Sequence, residues 1–233
     1  MVSYQYTYLI GDLILLAFWL ILFFYRKDTR KEMLALSIIF GVLGPFLERV
    51  HLFDWWIPLT ITGTPIGIED FLFGFGIGGV ASVIYEHLFN KRIKIKRTKK
   101  LKKERISLSF PFLILIMVVI FFGEFFILNL NSFISAISSF IIPIIIIYTK
   151  RKDLIKNSLV SGLLVLIASI LGYHILNFIT PGFFEEFWLF QNIGKIIIIG
   201  IPLEEHIWFF TFGAFIGPLY EYWKEGKLIN IKK

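Results

Sequence analysis

The sequence predicts an all-α membrane protein, a polytopic bundle of about seven transmembrane helices arranged as two parallel three-helix repeats joined by one helix. Three observations lead to this fold class. Of the 233 residues, 57% are hydrophobic, and several stretches approach the roughly 20 apolar residues that cross a bilayer. Lysine and arginine are concentrated between alternate apolar segments. An acidic pair opens an apolar run twice, in matching surroundings.

Seven apolar segments are the predicted membrane-spanning helices. They comprise residues 8–25, 33–52, 71–89, 107–128, 133–148, 159–178 and 207–223. All but two of the 24 lysines and arginines follow the first, third, fifth or seventh segment. Such residues accumulate in cytoplasmic loops. We therefore expect a multi-pass protein of the cell membrane, with its N-terminus outside and its C-terminus in the cytoplasm.

The net charge of +7 makes nucleic acid a candidate binding partner. Ten basic residues lie between 91 and 105, but this segment bridges two apolar spans and has no interleaved aromatic residues. A loop that sets membrane orientation and contacts anionic lipid explains it better. The sequence also has no cysteine, no dinucleotide-binding glycine pattern and no metal-ligand spacing. We therefore expect no nucleic acid, no cofactor and no metal.

A motif that begins with two adjacent carboxylates occurs twice. With an offset of 135 residues, residues 68–88 align with 203–223 without a gap. The alignment pairs the acidic residues of the first copy, Glu69 and Asp70, with those of the second, Glu204 and Glu205. An aromatic segment, at 53–56 and again at 183–188, precedes each copy.

The repeat divides the chain into three parts. Arg26-Lys27-Asp28 recurs as Arg151-Lys152-Asp153, which extends the match to the first and fifth segments. The predicted parts are a three-helix repeat at 1–90, a basic loop and connector helix at 91–130, and a second repeat at 131–233. Because four segments separate equivalent helices, the repeats should share one orientation, related by an axis along the membrane normal.

The acidic pairs are the strongest candidates for chemistry. Carboxylates at a helix N-terminus also serve as caps, which is the simplest interpretation of one copy alone. Two copies, expected to lie near each other across the bundle, favour an acid–base role, because a neutral carboxylic acid donates a proton and an ionised neighbour accepts one. Aromatic residues follow both pairs, and aromatic faces stabilise cations. The candidate substrate-binding aromatic residues are Phe71, Phe73, Trp208 and Phe209.

Other polar residues within the apolar segments give weaker signals. Glu124 and His174 are costly in lipid, so we expect them to face the bundle interior and to bind substrate. Glu48 gives a similar signal, although it lies near the membrane interface. Asp12 is expected to be interfacial. Glu86 and Glu221 are expected to be interfacial anchors at the opposite ends of their helices.

The second motif resembles the hallmark of the lycopene cyclase domain family of membrane proteins. The resemblance rests on Pro202-Leu203-Glu204-Glu205, followed by Trp208-Phe209-Phe210. Residues 65–73 are similar to the first-domain copy, with two residues inserted after the proline and aspartate replacing the second glutamate. The whole chain resembles a fused tandem of the two small cyclase subunits.

The resemblance implies that the chain is a carotenoid cyclase of the lycopene beta-cyclase type. An acid protonates the terminal double bond of a linear carotenoid, the cation closes a six-membered ring, and a base removes a proton. It assigns acid and base roles to Glu69, Asp70, Glu204 and Glu205, and requires no redox cofactor. The implied partners are lycopene or a related linear carotenoid and membrane lipid, with self-association or other carotenoid enzymes as further partners.

Two other functions remain as alternatives. Small transporters also combine three-plus-one-plus-three parallel repeats, and buried carboxylates suit proton coupling. Such transporters use proline-broken helices, whereas the prolines of the two halves do not match, as Pro45 and Pro143 show. A non-catalytic carotenoid-binding subunit is the second alternative.

Overall fold

A computed structural model describes residues 3–95, 109–192 and 194–231 of the chain. Most of the predicted basic loop, at 96–105, lies outside these residues. The same is true of residues 107–108, which begin the fourth predicted segment, and of the terminal lysines at 232 and 233.

The described part of the chain is mostly helical. Six long helices follow in order: α1 (Thr7–Tyr25), α2 (Arg30–His51), α3 (Ile68–Leu88), α4 (Ser109–Phe126), α5 (Ser132–Lys150) and α6 (Ile155–Ile179). Three further helices complete the chain: α7 (Phe183–Phe187), α8 (Leu203–Ile216) and α9 (Leu219–Trp223). Two short antiparallel pairs join β1 (Lys91–Lys94) to β4 (Lys227–Asn230), and β2 (Ile197–Ile198) to β3 (Ile201–Pro202).

The predicted fold class is confirmed. In the described ranges, α1, α2, α3, α5 and α6 are long and apolar enough to cross a membrane, and α4 is a shorter apolar helix. The structure is therefore an all-α bundle of the membrane type with little sheet.

The seventh predicted segment is not one continuous helix. The structure divides it into α8 and α9 at Gly217-Pro218. A proline has no N–H to donate to the carbonyl four residues earlier. That carbonyl belongs to Ala214, and it accepts a hydrogen bond from the Ser158 hydroxyl of α6 instead (2.5 Å).

Helices α3 and α8 lie at the centre of the bundle. Helix α3 packs against α1 and α2, and α8 packs in the same way against α5 and α6. Helix α4 packs against α5 and α9. Because β1 follows α3, β4 follows α9 and the two strands pair, α3 and α8 run in the same direction. We call the end where α3 and α8 begin the site end, and the end with β1 and β4 the strand end.

Two arginines at the strand end make matching contacts in the two halves. Arg26 donates to the backbone carbonyls of Glu86 and Lys91 at the end of α3 (both 2.5 Å). Arg151 donates to the carbonyls of Glu221 (3.4 Å) and Gly226 (2.7 Å) beyond α8. Each arginine also pairs with the aspartate two residues later, and these hydrogen bonds hold the pKa of Asp28 and of Asp153 below the usual value. Arg26 lies between α1 and α2, and Arg151 lies between α5 and α6. Each arginine therefore links the connection between two helices to the chain at the strand end of α3 or α9.

Replacing Arg26 by lysine is expected to destabilise the fold. A lysine ammonium cannot supply the planar fork that reaches both carbonyls and Asp28. Hydrogen bonds to charged groups contribute about 1.5–3 kcal/mol each, so we expect a loss of about 2 kcal/mol or more. Thermal unfolding in detergent would show a lower midpoint for Arg26→Lys, whereas Lys27→Ala, at an exposed neighbouring position, should match the wild type. Equal midpoints for all three proteins would contradict the proposed role.

Two glutamates at the strand end are buried, contrary to the expectation that they are interfacial anchors. Glu86 is 1% exposed and Glu221 is fully buried. Asn157 of α6 donates to Glu221 (2.8 Å), whereas neither carboxylate oxygen of Glu86 has a hydrogen-bond partner among the described residues. The two carboxyl groups therefore point into the bundle, where Glu221 meets a polar residue of α6.

Candidate functional site

A cavity of about 400 Å³ lies between α1, α3, α6 and α8. Its wall is mostly apolar and aromatic. Leu171 and Ile175 of α6 line it although they are 59% and 49% exposed, so the cavity opens to the bundle surface beside α6. A volume of this size is typical of a small-molecule site.

Three carboxyl groups from three helices line this large cavity. They belong to Asp12 of α1, Glu48 of α2 and Glu205 of α8. All three are buried. No lysine or arginine is among the described residues that line it. The cavity therefore combines acid–base groups with an apolar surface.

Glu205 accepts hydrogen bonds from three aromatic side chains. The indole N–H groups of Trp55 and Trp188 donate to its Oε1 (2.9 and 2.8 Å), and the Tyr173 hydroxyl donates to its Oε2 (2.6 Å). A carboxylate that receives several donors is stabilised in its ionised form. The arrangement therefore holds Glu205 in one orientation as a hydrogen-bond acceptor.

The two tryptophans reach Glu205 because the aromatic segments of the two halves pair. Ile57 N donates to the carbonyl of Phe187, and Leu189 N donates to the carbonyl of Trp55 (both 2.8 Å). This antiparallel contact brings Trp55, from the first half, beside a carboxylate of the second half. The sequence indicated that both segments are aromatic, but not that they meet.

Asp70 occupies a different environment from its repeat partner Glu205. Its Oδ2 accepts from the backbone N–H of Gly67 at the start of α3 (2.7 Å), and its Oδ1 accepts from the Tyr8 hydroxyl (3.0 Å). Asp70 lines a second cavity of only about 60 Å³, between α2, α3, α5 and α8.

The predicted repeat pairs α1, α2 and α3 with α5, α6 and α8, and under this pairing the small cavity is at the position equivalent to the large one. Met117 and Phe121 of α4 line it from one side, and three packed phenylalanine rings narrow it: Phe40, Phe140 and Phe212. Helix α4 has no counterpart in the repeat. Under the predicted repeat, α4 therefore covers one of two equivalent positions and leaves the other open.

Glu69 and Glu204 line neither cavity. The Oε1 atom of Glu69 accepts from Ile61 N, and that of Glu204 accepts from Gly194 N (both 2.6 Å). Both bonds reach back to the loop that precedes the helix. The second oxygen of each is buried without a partner in the part of the chain that the structure describes.

The structure brings three of the six predicted substrate-binding residues to the large cavity. Phe73, Trp208 and Phe209 line it, and the Phe73 ring lies 6.0 and 6.3 Å from the Trp208 and Phe209 rings. Phe71 stacks on Phe75 at 5.9 Å and lines neither cavity. It lies two residues, about 200° of helix rotation, from Phe73.

The remaining two predicted substrate-binding residues also lie away from both cavities. Glu124 of α4 accepts a hydrogen bond from the Ser138 hydroxyl of α5. His174 is exposed on the outer surface of α6, although the adjacent Tyr173 lines the large cavity. His174 therefore does not face the bundle interior as expected, and neither residue lines the cavities.

Sequence reasoning missed Asp12 and gave Glu48 too little weight. Asp12 is not interfacial: it is 1% exposed, and neither carboxylate oxygen has a partner in the described ranges. It lies one helical turn after Tyr8, which lines the same cavity. Glu48 lines both cavities and lies three residues before His51, which does the same. Spacings of three or four residues place Asp12 on the same helix face as Tyr8, and Glu48 on the same face as His51. This spacing was the sequence signal that could have identified both carboxyl groups.

The sequence model of the lycopene cyclase family matches residues 5–88 and 131–223, most of the chain. The chain belongs to this family. Membership supports a carotenoid cyclase function in general, with an enzyme of the cyclase or isomerase kind and a carotenoid substrate. The two matched regions lie on either side of the segment that contains α4.

No curated protein and no solved structure matches the chain. Within residues 3–95, 109–192 and 194–231, no group of three or more histidine, aspartate or glutamate side chains is arranged to hold a metal ion.

Proposed function

We propose that this protein closes an end of lycopene or a related linear carotenoid into a ring, by a proton-initiated and redox-neutral reaction in the large cavity. The observation that carries the proposal is Glu205, a carboxylate fixed by three donors at the wall of an apolar, aromatic cavity. A hydrocarbon end group suits the wall, and the opening beside α6 suits a substrate that resides in the bilayer.

The cavity provides what a carbocation reaction needs. Protonation of the terminal double bond creates a tertiary cation, and the next double bond attacks it to form the ring. The faces of Phe73, Trp208 and Phe209 stabilise positive charge and exclude water, which would otherwise capture the cation. Glu205 stabilises the cation electrostatically and accepts the proton that the ring loses. The product is an isomer of the substrate.

The other acidic residues of the two motifs support this site. We assign Glu69 and Glu204 as positioning residues, because each binds the backbone of the loop that precedes its helix. Asp70 caps α3 and orients the Tyr8 hydroxyl, which lies at the boundary of the two cavities.

Expression in a bacterium that accumulates lycopene tests the proposed function. We expect chromatography of the extracted pigments to show monocyclic or bicyclic carotene, which an empty vector should not produce. Membrane fractionation would establish that the protein is inserted. Unchanged lycopene in cells that contain inserted, folded protein, followed by the same result with longer linear carotenoids, would contradict the proposal.

Substitutions at Glu204 should separate a positioning role from an acid–base role. Glu204→Gln keeps an oxygen that can accept from Gly194 N, so we expect it to retain most of the activity. Glu204→Ala removes the acceptor, which costs about 1.5–3 kcal/mol for a hydrogen bond to a charged group. We therefore expect conversion by Glu204→Ala to be at least about tenfold lower than by Glu204→Gln. Equal and complete loss in both variants would indicate that Glu204 takes part in proton transfer.

A further inference from the structure

We propose that Glu48 is the proton donor of the reaction, a second catalytic carboxyl that works across the cavity from Glu205. This inference rests on the proposed function and adds a residue from the first half of the chain to the site. It lies outside both acidic motifs, in the last turn of α2.

Glu48 lies at the boundary between the two cavities. It is buried, and it lines the large cavity together with Glu205 and the small cavity together with Asp70. Asp12 also lines the large cavity, but it does not line the small one. Glu48 is therefore the carboxyl group that shares the large cavity with Glu205 and also reaches the small one.

Glu48 and Glu205 differ in their hydrogen-bonding environments. Glu205 receives three donors, whereas Glu48 is 8% exposed and its Oε1 is buried without a partner among the described residues. Trp56 also lines the large cavity. An isolated ionised carboxylate in an apolar interior is very costly, so such a group is neutral instead. The two carboxyl groups thus differ in the way that an acid and a base must differ.

The neighbouring titratable groups are consistent with a neutral Glu48. Those that line the cavities with it are carboxyl, phenol and imidazole groups, with no lysine or arginine in the described walls. They come from α1, α2, α3, α6 and α8, and they are Tyr8, Asp12, His51, Asp70, Tyr173 and Glu205. None of them is a permanent cation that would favour an ionised Glu48.

The proton balance of the cycle closes with these two groups. The Glu48 O–H bond breaks, and its proton bonds to one carbon of the terminal double bond, which leaves a cation on the other carbon. The π electrons of the next double bond form the ring-closing bond and move the cation into the ring. A ring C–H bond then gives its proton to Glu205, and its electron pair becomes the ring double bond. Proton transfer from Glu205 to Glu48 restores both groups without an external reactant.

Activity of three variants in liposomes containing lycopene tests the proposal. Glu48→Gln preserves shape but removes the acidic proton, so we expect at least about 100-fold lower conversion, the usual range for loss of a general acid. Glu48→Asp keeps a carboxyl group and should retain more activity than Glu48→Gln. Glu186→Gln is the matched control, because it makes the same change at an exposed position of α7, and it should equal the wild type.

Infrared spectroscopy supplies a readout that a merely structural role would not change. A protonated carboxyl group has a C=O stretching band that a carboxylate lacks. We expect Glu48→Gln to remove one such band from the folded protein, and Glu205→Gln to leave that band in place. Thermal unfolding would establish that each variant is folded.

Several outcomes would overturn the proposal. Activity of Glu48→Gln within a few-fold of the wild type would do so, as would an unchanged set of protonated carboxyl bands in Glu48→Gln. If Glu205→Gln is inactive in either case, the proposed function stands and only the role of Glu48 fails. A wild-type protein that converts no carotenoid would instead refute the proposed function, while the infrared bands would still decide the protonation state of Glu48.

Discussion

Glu205→Gln is expected to lower the rate of carotenoid cyclisation by about 10²–10⁴-fold, the range for loss of a general acid–base group. Glutamine loses the negative charge that stabilises the cation and accepts the ring proton. The oxygens of Glu205 now accept hydrogen bonds from Trp55, Trp188 and Tyr173. The amide NH₂ of glutamine would replace one of these oxygens and cannot accept a hydrogen bond. The initial rate of lycopene conversion in liposomes measures the effect.

Asp70→Asn is the matched comparison, since the repeat makes Asp70 equivalent to Glu205. We expect a much smaller loss, because the small cavity of about 60 Å³ leaves little space for a ring beside Asp70. Equal losses in the two variants would contradict a single open site, and a greater loss in Asp70→Asn would move the reaction to the first motif.

Gly172→Phe is expected to abolish activity without destabilising the protein. Gly172 lines the large cavity, and a Cβ added there meets no atom within 4 Å. A phenylalanine ring can therefore project into the space that the carotenoid end group needs, while the helix gains from the loss of a flexible glycine. Conversion in liposomes and the thermal unfolding midpoint are the two measurements.

Gly123→Phe in α4 is the control for this substitution. Its Cβ also meets no atom within 4 Å, but Gly123 lines neither cavity. We expect wild-type activity from this variant. An active Gly172→Phe variant would show that the reaction takes place elsewhere, and a large fall in its unfolding midpoint would contradict the open space around Gly172.

The fold was largely predictable from the sequence because membrane helices have a simple physical signature. Apolar runs of the required length gave the segments, although α8 and α9 show that Pro218 interrupts the last one. The acidic motifs were visible because they recur with the same spacing. These features depend on residues that are close together in the chain.

The division of labour within each motif was not predictable from adjacency. Glu204 and Glu205 are neighbours in sequence, but successive helical residues differ by about 100° in direction. Glu204 therefore binds the loop at Gly194, and Glu205 faces the large cavity. The distinction depends on contacts with Trp55 and Tyr173, which come from distant parts of the chain.

The covering of one position by α4 has a kinetic consequence. Lycopene has two equivalent ends, yet under the proposed mechanism only one of the two repeat-related cavities is open to an end group, since Met117 and Phe121 cover the other. A molecule cyclised at one end must dissociate, reverse its direction in the bilayer and bind again before its second end can react. Bicyclic carotene would therefore form distributively, with free monocyclic carotene as an obligatory intermediate that other enzymes of the membrane can intercept.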